Sequence, residues 1–203
     1  MKWLVSLGVL LVMPLIALGQ ATPVGPAGPG MEAPTRLEAL ELRKSTVIVK
    51  GYTEIGKVEG EEGSSITVSA IEMKDSKVGT HEMGLAITAA GAGQGTRSAI
   101  SYVDFDEIGA LLSAIDSLAK PDPEATKLSA YEAQYRTRSN LELVSFDSNS
   151  QRMVSVRAVQ VIFPSGEVIW STAHFRLATL ANIRKQIADA KDVLDKLREA
   201  ANK

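Results

Sequence analysis

Cysteine is absent from all 203 residues of the sequence, and this absence excludes several classes of protein at once. Without thiols the chain can form no disulfide framework and can carry no lipid anchor on an N-terminal cysteine. Thiol catalysis and thiolate metal sites are excluded for the same reason. The folded protein must therefore be held together by its hydrophobic core.

Histidine is also scarce, with only His81 and His174 in the sequence. His81 is followed by Glu82, but no second histidine lies four residues further on, so the helical metalloprotease motif is absent. We expect His174 to lie late in a strand, on the same face as Trp170 and Thr172. For each histidine the simpler interpretation is a surface or sheet-packing side chain, and the alternative is a ligand or a general base.

Neither sign of charge is in large excess, because 22 basic and 24 acidic residues give a formal net charge of −2. A mildly acidic chain with mixed charges lacks the excess of basic residues that usually accompanies binding to a nucleic acid or an anionic membrane. We therefore expect no nucleic-acid partner, and no membrane contact apart from the N-terminal segment.

That N-terminal segment is typical of a secretory signal peptide. Lys2 precedes an apolar run over residues 3–18, and small residues such as Gly19 and Ala21 offer a cleavage site. The run is shorter than the ~20 residues that a transmembrane helix needs. We predict a signal peptide over residues 1–21 that is cleaved on export to the periplasm or beyond; the alternative is an uncleaved anchor.

Residues 22–35, TPVGPAGPGMEAPT, are rich in proline and glycine and predict a flexible linker. Residues 36–203 then form one segment, which is long enough to bury a complete hydrophobic core. We expect a single folded domain there, and we favour a short helix over residues 36–44 at its start.

The most regular pattern lies in residues 97–120, where a strand leads directly into an amphipathic helix. Period-2 alternation predicts the strand over residues 99–103. Apolar residues then recur at helical spacing, at Ile108, Leu111, Leu112, Ile115, Leu118 and Ala119. Asp104 occupies the expected N-cap position and Glu107 follows three residues later. This spacing predicts a capping box, in which each side chain binds the other residue's backbone N–H.

Both halves of residues 36–203 show about four strand-like segments followed by a helix. The predicted strands are 45–55, 65–73, 83–90, 99–103, 131–137, 141–146, 152–163 and 168–175. We expect an α+β fold with about eight antiparallel strands and two helices, and we hypothesise an internal ββββα repeat. Some single-stranded nucleic-acid-binding folds and PC4-like domains share this duplication, but fold does not imply function.

The second predicted helix, over residues 179–201, has apolar positions spaced alternately three and four, as in a coiled-coil seam. Its remaining surface carries mixed charges. The simpler interpretation is that the apolar stripe packs on the chain's own sheet. The alternative is a homodimer or a protein partner that binds through this C-terminal helix.

Asp104, Asp106 and Glu107 form the densest acidic cluster in the sequence. Such carboxylates could supply part of a Ca²⁺ site, but capping and the positive end of a helix explain them more simply. The chain has no G-x-S-x-G nucleophile motif. The glycines of residues 91–95 lead into a strand and not into a helix N-terminus, which a phosphate loop requires. We therefore predict no catalysis and no cofactor.

Three segments resemble a group of uncharacterised secreted bacterial proteins. They are RLEALELRKSTVIVKGYTEIG (36–56), SYVDFDEIGALLSAIDSLAK (101–120) and LSAYEAQYRTRSNLEL (128–143). The resemblance implies a bacterial exported domain and supplies no catalytic or binding residue.

These observations together predict an exported, non-enzymatic binding or structural module of unknown ligand. A cation-dependent hydrolase that uses Asp104, Asp106 and Glu107, or a histidine, is the first alternative. A single-stranded nucleic-acid binder is the second, and it rests on the topological analogy alone.

Overall fold

The computed structural model of the chain describes residues 33–93, 97–120, 125–128, 131–148, 151–162 and 165–201. The predicted signal peptide and all but the end of the predicted linker lie outside these ranges. The elements of the first half are α1 (Arg36–Glu41), β1 (Ile48–Glu59), β2 (Ser65–Asp75), β3 (His81–Ala90), β4 (Ser98–Asp104) and α2 (Ile108–Leu118). Those of the second half are β5 (Glu132–Arg136), β6 (Glu142–Ser148), β7 (Gln151–Ile162), β8 (Glu167–Arg176) and α3 (Leu180–Ala201).

The strands form two antiparallel sheets of four strands each, which confirms the predicted α+β class. Sheet 1 has the order β1-β2-β3-β4 and sheet 2 the order β5-β6-β7-β8. In each half the fourth strand runs into a 3₁₀ turn, Phe105–Glu107 or Leu177–Thr179, and then into the long helix of that half. The order of elements therefore repeats as ββββα, as hypothesised.

Each long helix packs away from the strands that immediately precede it. The helix α3 lies across β1, β2 and β3 of sheet 1, whereas α2 contacts α3 and β5 of sheet 2. The buried positions of α3 are Leu180, Ile183, Ile187, Ala190 and Leu194. Most of the predicted apolar stripe is therefore used inside the molecule, and its last members, Leu197 and Ala201, are exposed. The two halves share one hydrophobic core.

Buried serine side chains connect the two sheets through backbone groups of their strands. The Oγ of Ser101 accepts a hydrogen bond from the N–H of Val159 (2.9 Å) and donates one to its carbonyl oxygen (3.1 Å). The Oγ of Ser64 accepts a hydrogen bond from the N–H of His174 (3.1 Å). These contacts give polar backbone groups the partners that they need when they leave water.

The short helix predicted at the start of the domain is confirmed as α1, which covers the other face of sheet 1. Leu37 and Leu40 pack there with Ile71, Met73 and Tyr102 in a second apolar cluster. Beneath the helix, a Cβ atom at Gly84 would lie 2.8 Å from Leu37 Cδ1 and would also meet backbone of β4. Glycine therefore allows α1 to approach the sheet closely.

The Asp75 carboxylate, at the end of β2, collects four hydrogen bonds in a tight turn. Its donors are the hydroxyl of Thr46 (2.6 Å), the N–H groups of Lys77 (2.8 Å) and Val78 (3.2 Å), and the guanidinium of Arg43 (3.0 Å). These hydrogen bonds, that from Thr46 foremost, hold the pKa of Asp75 far below its usual range.

The folded-state pKa of Asp75 lies below its unfolded value of about 3.9, so its contribution to stability is fully present above that pH. It is lost as the pH falls toward the folded-state pKa. We expect Asp75→Asn to lower the free energy of unfolding at pH 7 and to flatten its decline below about pH 4. Urea unfolding over a pH series would measure this, with Glu132→Gln, at an exposed residue of β5, as the control. Parallel pH curves for wild type and Asp75→Asn would contradict the assignment.

Candidate functional site

The three carboxylates singled out from the sequence lie together where β4 meets α2. Two arginines from other segments join them: Arg36 from α1 and Arg138 from the loop between β5 and β6. We call these five residues the arginine–carboxylate cluster. Asp106 Oδ1 lies 2.9 Å from Arg36 Nη2 and 2.6 Å from Arg138 Nη2. The cluster joins three separate parts of the chain.

Asp104 is the buried centre of this cluster, with 1% of its side chain exposed. Its Oδ2 accepts a hydrogen bond from the backbone N–H of Arg36 (2.9 Å), and its Oδ1 accepts one from that of Leu37 (3.2 Å). The guanidinium groups of Arg36 and Arg138 lie 3.6 and 3.7 Å from Oδ2. The carboxylate therefore binds the N-terminus of α1, 68 residues earlier in the chain.

The predicted capping box of Asp104 and Glu107 is wrong. Neither side chain forms a capping hydrogen bond at the start of α2 or of the 3₁₀ turn before it. Asp104 lies on the same face of β4 as Tyr102, which α1 covers, so its carboxylate meets the N–H groups of that helix instead. The capping box lies at α1 itself, between Thr35 and Glu38.

Glu107 is directed toward the second half of the molecule. Its carboxylate accepts hydrogen bonds from the backbone N–H of Arg138 (2.9 Å) and from the Nε–H of the same residue (3.2 Å).

The carboxyl group of Asp106 is subject to opposing effects on its pKa. Partial burial acts to raise the pKa, but the hydrogen bond from Arg138 and the positive charges of Arg138 and Arg36 lower it by more. The pKa of Asp106 therefore lies below its usual range, and this carboxyl group is ionised at neutral pH.

The chemistry of the cluster favours a structural role over a cation site. A divalent cation would have to displace the two guanidinium groups that already neutralise the carboxylates. Within the described ranges, no group of three or more histidine, aspartate or glutamate side chains is placed to hold a metal ion. The arrangement instead fixes α1 and the β5–β6 loop against the β4–α2 junction.

The two histidines lie on different sheets. His81 Nε2 lies 3.1 Å from Glu72 Oε2 across β3 and β2. His174 is exposed on the outer face of sheet 2, where burial alternates along β8 as the sequence predicted for Trp170, Thr172 and His174. The two histidines therefore do not contribute to a common site.

An open groove of about 450 Å³ adjoins the arginine–carboxylate cluster. Both acidic and basic side chains line the groove. Within it, the Cζ atom of Arg198 lies 4.3 Å from the centroid of the Phe105 ring. Small-molecule sites are usually concave and mostly apolar, with a few convergent polar groups. This groove lacks that character, so we do not take it as a ligand site.

The outer face of sheet 2 carries a group of exposed apolar side chains. Trp170 is 65% exposed, Val168 is 41% exposed and Val161 is 38% exposed. Val161 pairs with Val168, and Val159 pairs with Trp170, across β7 and β8. We call these four residues the apolar patch. The helices α1 and α3 pack on sheet 1, and α2 packs on α3 and β5, so the described helices leave Trp170 exposed.

Three arginines around the apolar patch each have a glutamate partner. Arg157 Nη2 lies 2.8 Å from Glu142 Oε1, and Arg136 binds the other oxygen of the same carboxylate. Arg176 Nε lies 3.1 Å from Glu61 Oε1. Arg136 and Arg157 share one carboxylate, so two glutamates oppose three arginines on this face.

The chain matches no protein-family model and no curated protein. In the part of the chain that the structure describes, every helix is too short or too polar to cross a membrane. The function must therefore be inferred from the surfaces of the molecule.

Proposed function

We propose that this chain is an exported, non-enzymatic binding module, and that the apolar patch of sheet 2 binds another protein. The observation that carries the proposal is the exposed Trp170, which lies among three valines on a sheet face that the helices leave open. Large aromatic side chains dominate the binding energy of protein interfaces, usually near the centre of an apolar area.

Two further observations support the proposal. The carboxylates of the arginine–carboxylate cluster form ion pairs with its arginines. This arrangement suits a structural role and not a catalytic one. The N-terminal segment has the pattern of a signal peptide followed by a Pro/Gly-rich linker, which suits a module that acts in the periplasm or outside the cell.

The patch is tested by replacing Trp170 with glutamate. The full sequence is expressed, the exported chain is purified, and it is used to capture partners from an envelope extract. We expect Trp170→Glu to weaken retention of the captured protein by about 30-fold, because loss of a central aromatic contact costs ~2 kcal/mol or more. Leu128→Glu, at an exposed apolar residue outside the patch, is the control and should retain it.

Fluorescence then reports binding at the patch directly. The sequence has two tryptophans, and the other one is Trp3, within the predicted signal peptide. In a Trp3→Phe chain all of the chain's own tryptophan emission comes from Trp170. After the spectrum of the purified partner alone is subtracted, we expect this emission to shift to shorter wavelength when the partner is added. Equal retention by wild type and Trp170→Glu, or an unchanged spectrum, would overturn the patch assignment.

The alternatives make different predictions in a thermal-unfolding panel. Stabilisation by a divalent cation that is lost with chelator would favour the arginine–carboxylate cluster as a site. A ligand at 100 times its Kd should stabilise the fold by about 2.7 kcal/mol. Salt-dependent binding of single-stranded oligonucleotides would favour nucleic acid. Turnover of an ester, glycan or peptide would overturn the non-enzymatic proposal.

A further inference from the structure

The strand β1 forms one edge of sheet 1 and is unusually long for an edge strand. It spans 12 residues, and no described strand pairs with its outer side. Tyr52 at its middle is 78% exposed, the highest value among the large apolar side chains of the described residues. An edge of this kind presents backbone N–H and C=O groups that can pair with another strand.

The register of sheet 1 assigns each β1 side chain to a face. Tyr52 pairs with Ile71 and Lys50 with Met73, and both partners belong to the cluster under α1. Lys50, Tyr52 and Glu54 therefore share the α1 side of the sheet, and Gly51 and Thr53 share the α3 side. Because α1 contacts β2, β3 and β4 but has no comparable contact with β1, the edge itself is accessible.

We propose that two copies of this chain pair antiparallel through β1, with Tyr52 on the two-fold axis. In this register Lys50 of each copy lies opposite Glu54 of the other, and the two Tyr52 side chains form a cross-strand pair. Sheet 1 of the two copies then becomes one continuous sheet of eight strands. This interface is separate from the apolar patch, so the outcome of its test is independent of the proposed function.

Charge complementarity selects this register. A two-fold axis perpendicular to the sheet aligns residues of the same face, so the register can shift only in steps of two residues. The next registers on either side place Lys50 opposite Tyr52 or Tyr52 opposite Glu54. One step further places Lys50 opposite Lys50 or Glu54 opposite Glu54. Among these registers, only the proposed one pairs opposite charges.

The local structure also limits the length of the ladder. A bulge interrupts β1 between Glu54 and Gly56, so regular pairing extends over residues 50–54. Within the described part of the chain Glu54 forms no ion pair, whereas Lys50 binds Glu41 at the end of α1. In the dimer Lys50 lies between two carboxylates, and Glu54 gains a cation.

Charge reversal tests the register without changing the backbone. Sedimentation of the exported chain, in a series up to about 1 mM, should show a concentration-dependent change from one-chain to two-chain mass. Lys50→Glu alone and Glu54→Lys alone each place like charges opposite each other twice and should raise the dimer Kd about tenfold. An equimolar mixture of these two variants pairs opposite charges at both positions and should restore the dimer.

Lys74→Glu on β2, an exposed residue away from the edge, makes the same charge change and should leave the Kd unaltered. A wild-type chain that keeps one-chain mass throughout the series overturns the proposal. So does a mixture that associates no better than its components.

A cysteine cross-link tests the position of the axis. The natural chain has no cysteine, so Tyr52→Cys introduces a single thiol, and directly opposed Cβ atoms lie about 4.5–5.5 Å apart. We expect mild oxidation to convert most of this variant into a disulfide-linked dimer. Val78→Cys, at an exposed turn position, should remain largely uncross-linked. Equal cross-linking of the two variants contradicts the assigned axis.

Discussion

Replacing Asp104 with alanine should lower the free energy of unfolding by about 3 kcal/mol. The carboxylate is buried, and its removal leaves the N–H groups of Arg36 and Leu37 without an acceptor. It also removes the negative charge at the centre of the cluster while Arg36 and Arg138 remain. Urea unfolding at neutral pH measures the loss.

Asp106→Ala is the matched control, because Asp106 contacts the same two arginines but is 56% exposed. Exposed ion pairs contribute little, so we expect a loss within about 1 kcal/mol. Asp104→Asn, which keeps one acceptor oxygen, should lie between the two alanine variants. If Asp104→Ala and Asp106→Ala lowered the free energy of unfolding equally, the burial of Asp104 and its contacts with α1 would not contribute to stability as we expect.

Ile187→Ala should destabilise the chain by about 3–4 kcal/mol, because it creates a cavity in the shared core. Ile187 is buried on α3, which packs on sheet 1. The loss should therefore appear in the first half of the molecule, although the substitution is in the second. Hydrogen exchange of the amides of β2 and β3, with urea unfolding in parallel, measures both effects.

Leu197→Ala tests the same helical stripe where it is exposed. Leu197 is 40% exposed near the end of α3, and we expect a loss of less than about 1 kcal/mol. If Ile187→Ala reduced protection only in sheet 2, the arrangement of α3 on sheet 1 would be contradicted.

Local patterns predicted most of the fold. Alternation identified the eight strands and helical spacing identified α2 and α3, because both periodicities follow from backbone geometry within a short window. The ββββα repeat was visible for the same reason. The predicted strand 45–55 begins and ends too early: β1 spans Ile48–Glu59, and its pairing with β2 continues past the bulge. A bulge disturbs the alternation that marks a strand.

Long-range contacts account for what the sequence could not predict. The spacing of Asp104 and Glu107 matches a capping box, yet Asp104 binds α1 and Glu107 binds Arg138, 31 residues away. No local pattern identifies such partners. Trp170 was correctly predicted to share a strand face with Thr172 and His174, but alternation alone does not reveal which face of a sheet remains uncovered. Similarly, the stripe on α3 favoured packing on the chain's own sheet over a partner, but it did not indicate which of the two sheets the helix covers.

The position of α3 on sheet 1 has a consequence for the time course of folding. The helix α3, which is synthesised after all eight described strands, covers a sheet whose strands end at Asp104, so a nascent chain that ends before Leu180 leaves that apolar face in water. Closing the core therefore requires contacts between residues far apart in sequence, which slows folding. For a chain that we propose to be exported, this delay would keep the polypeptide unfolded, and so able to pass through a membrane channel, until α3 has been made.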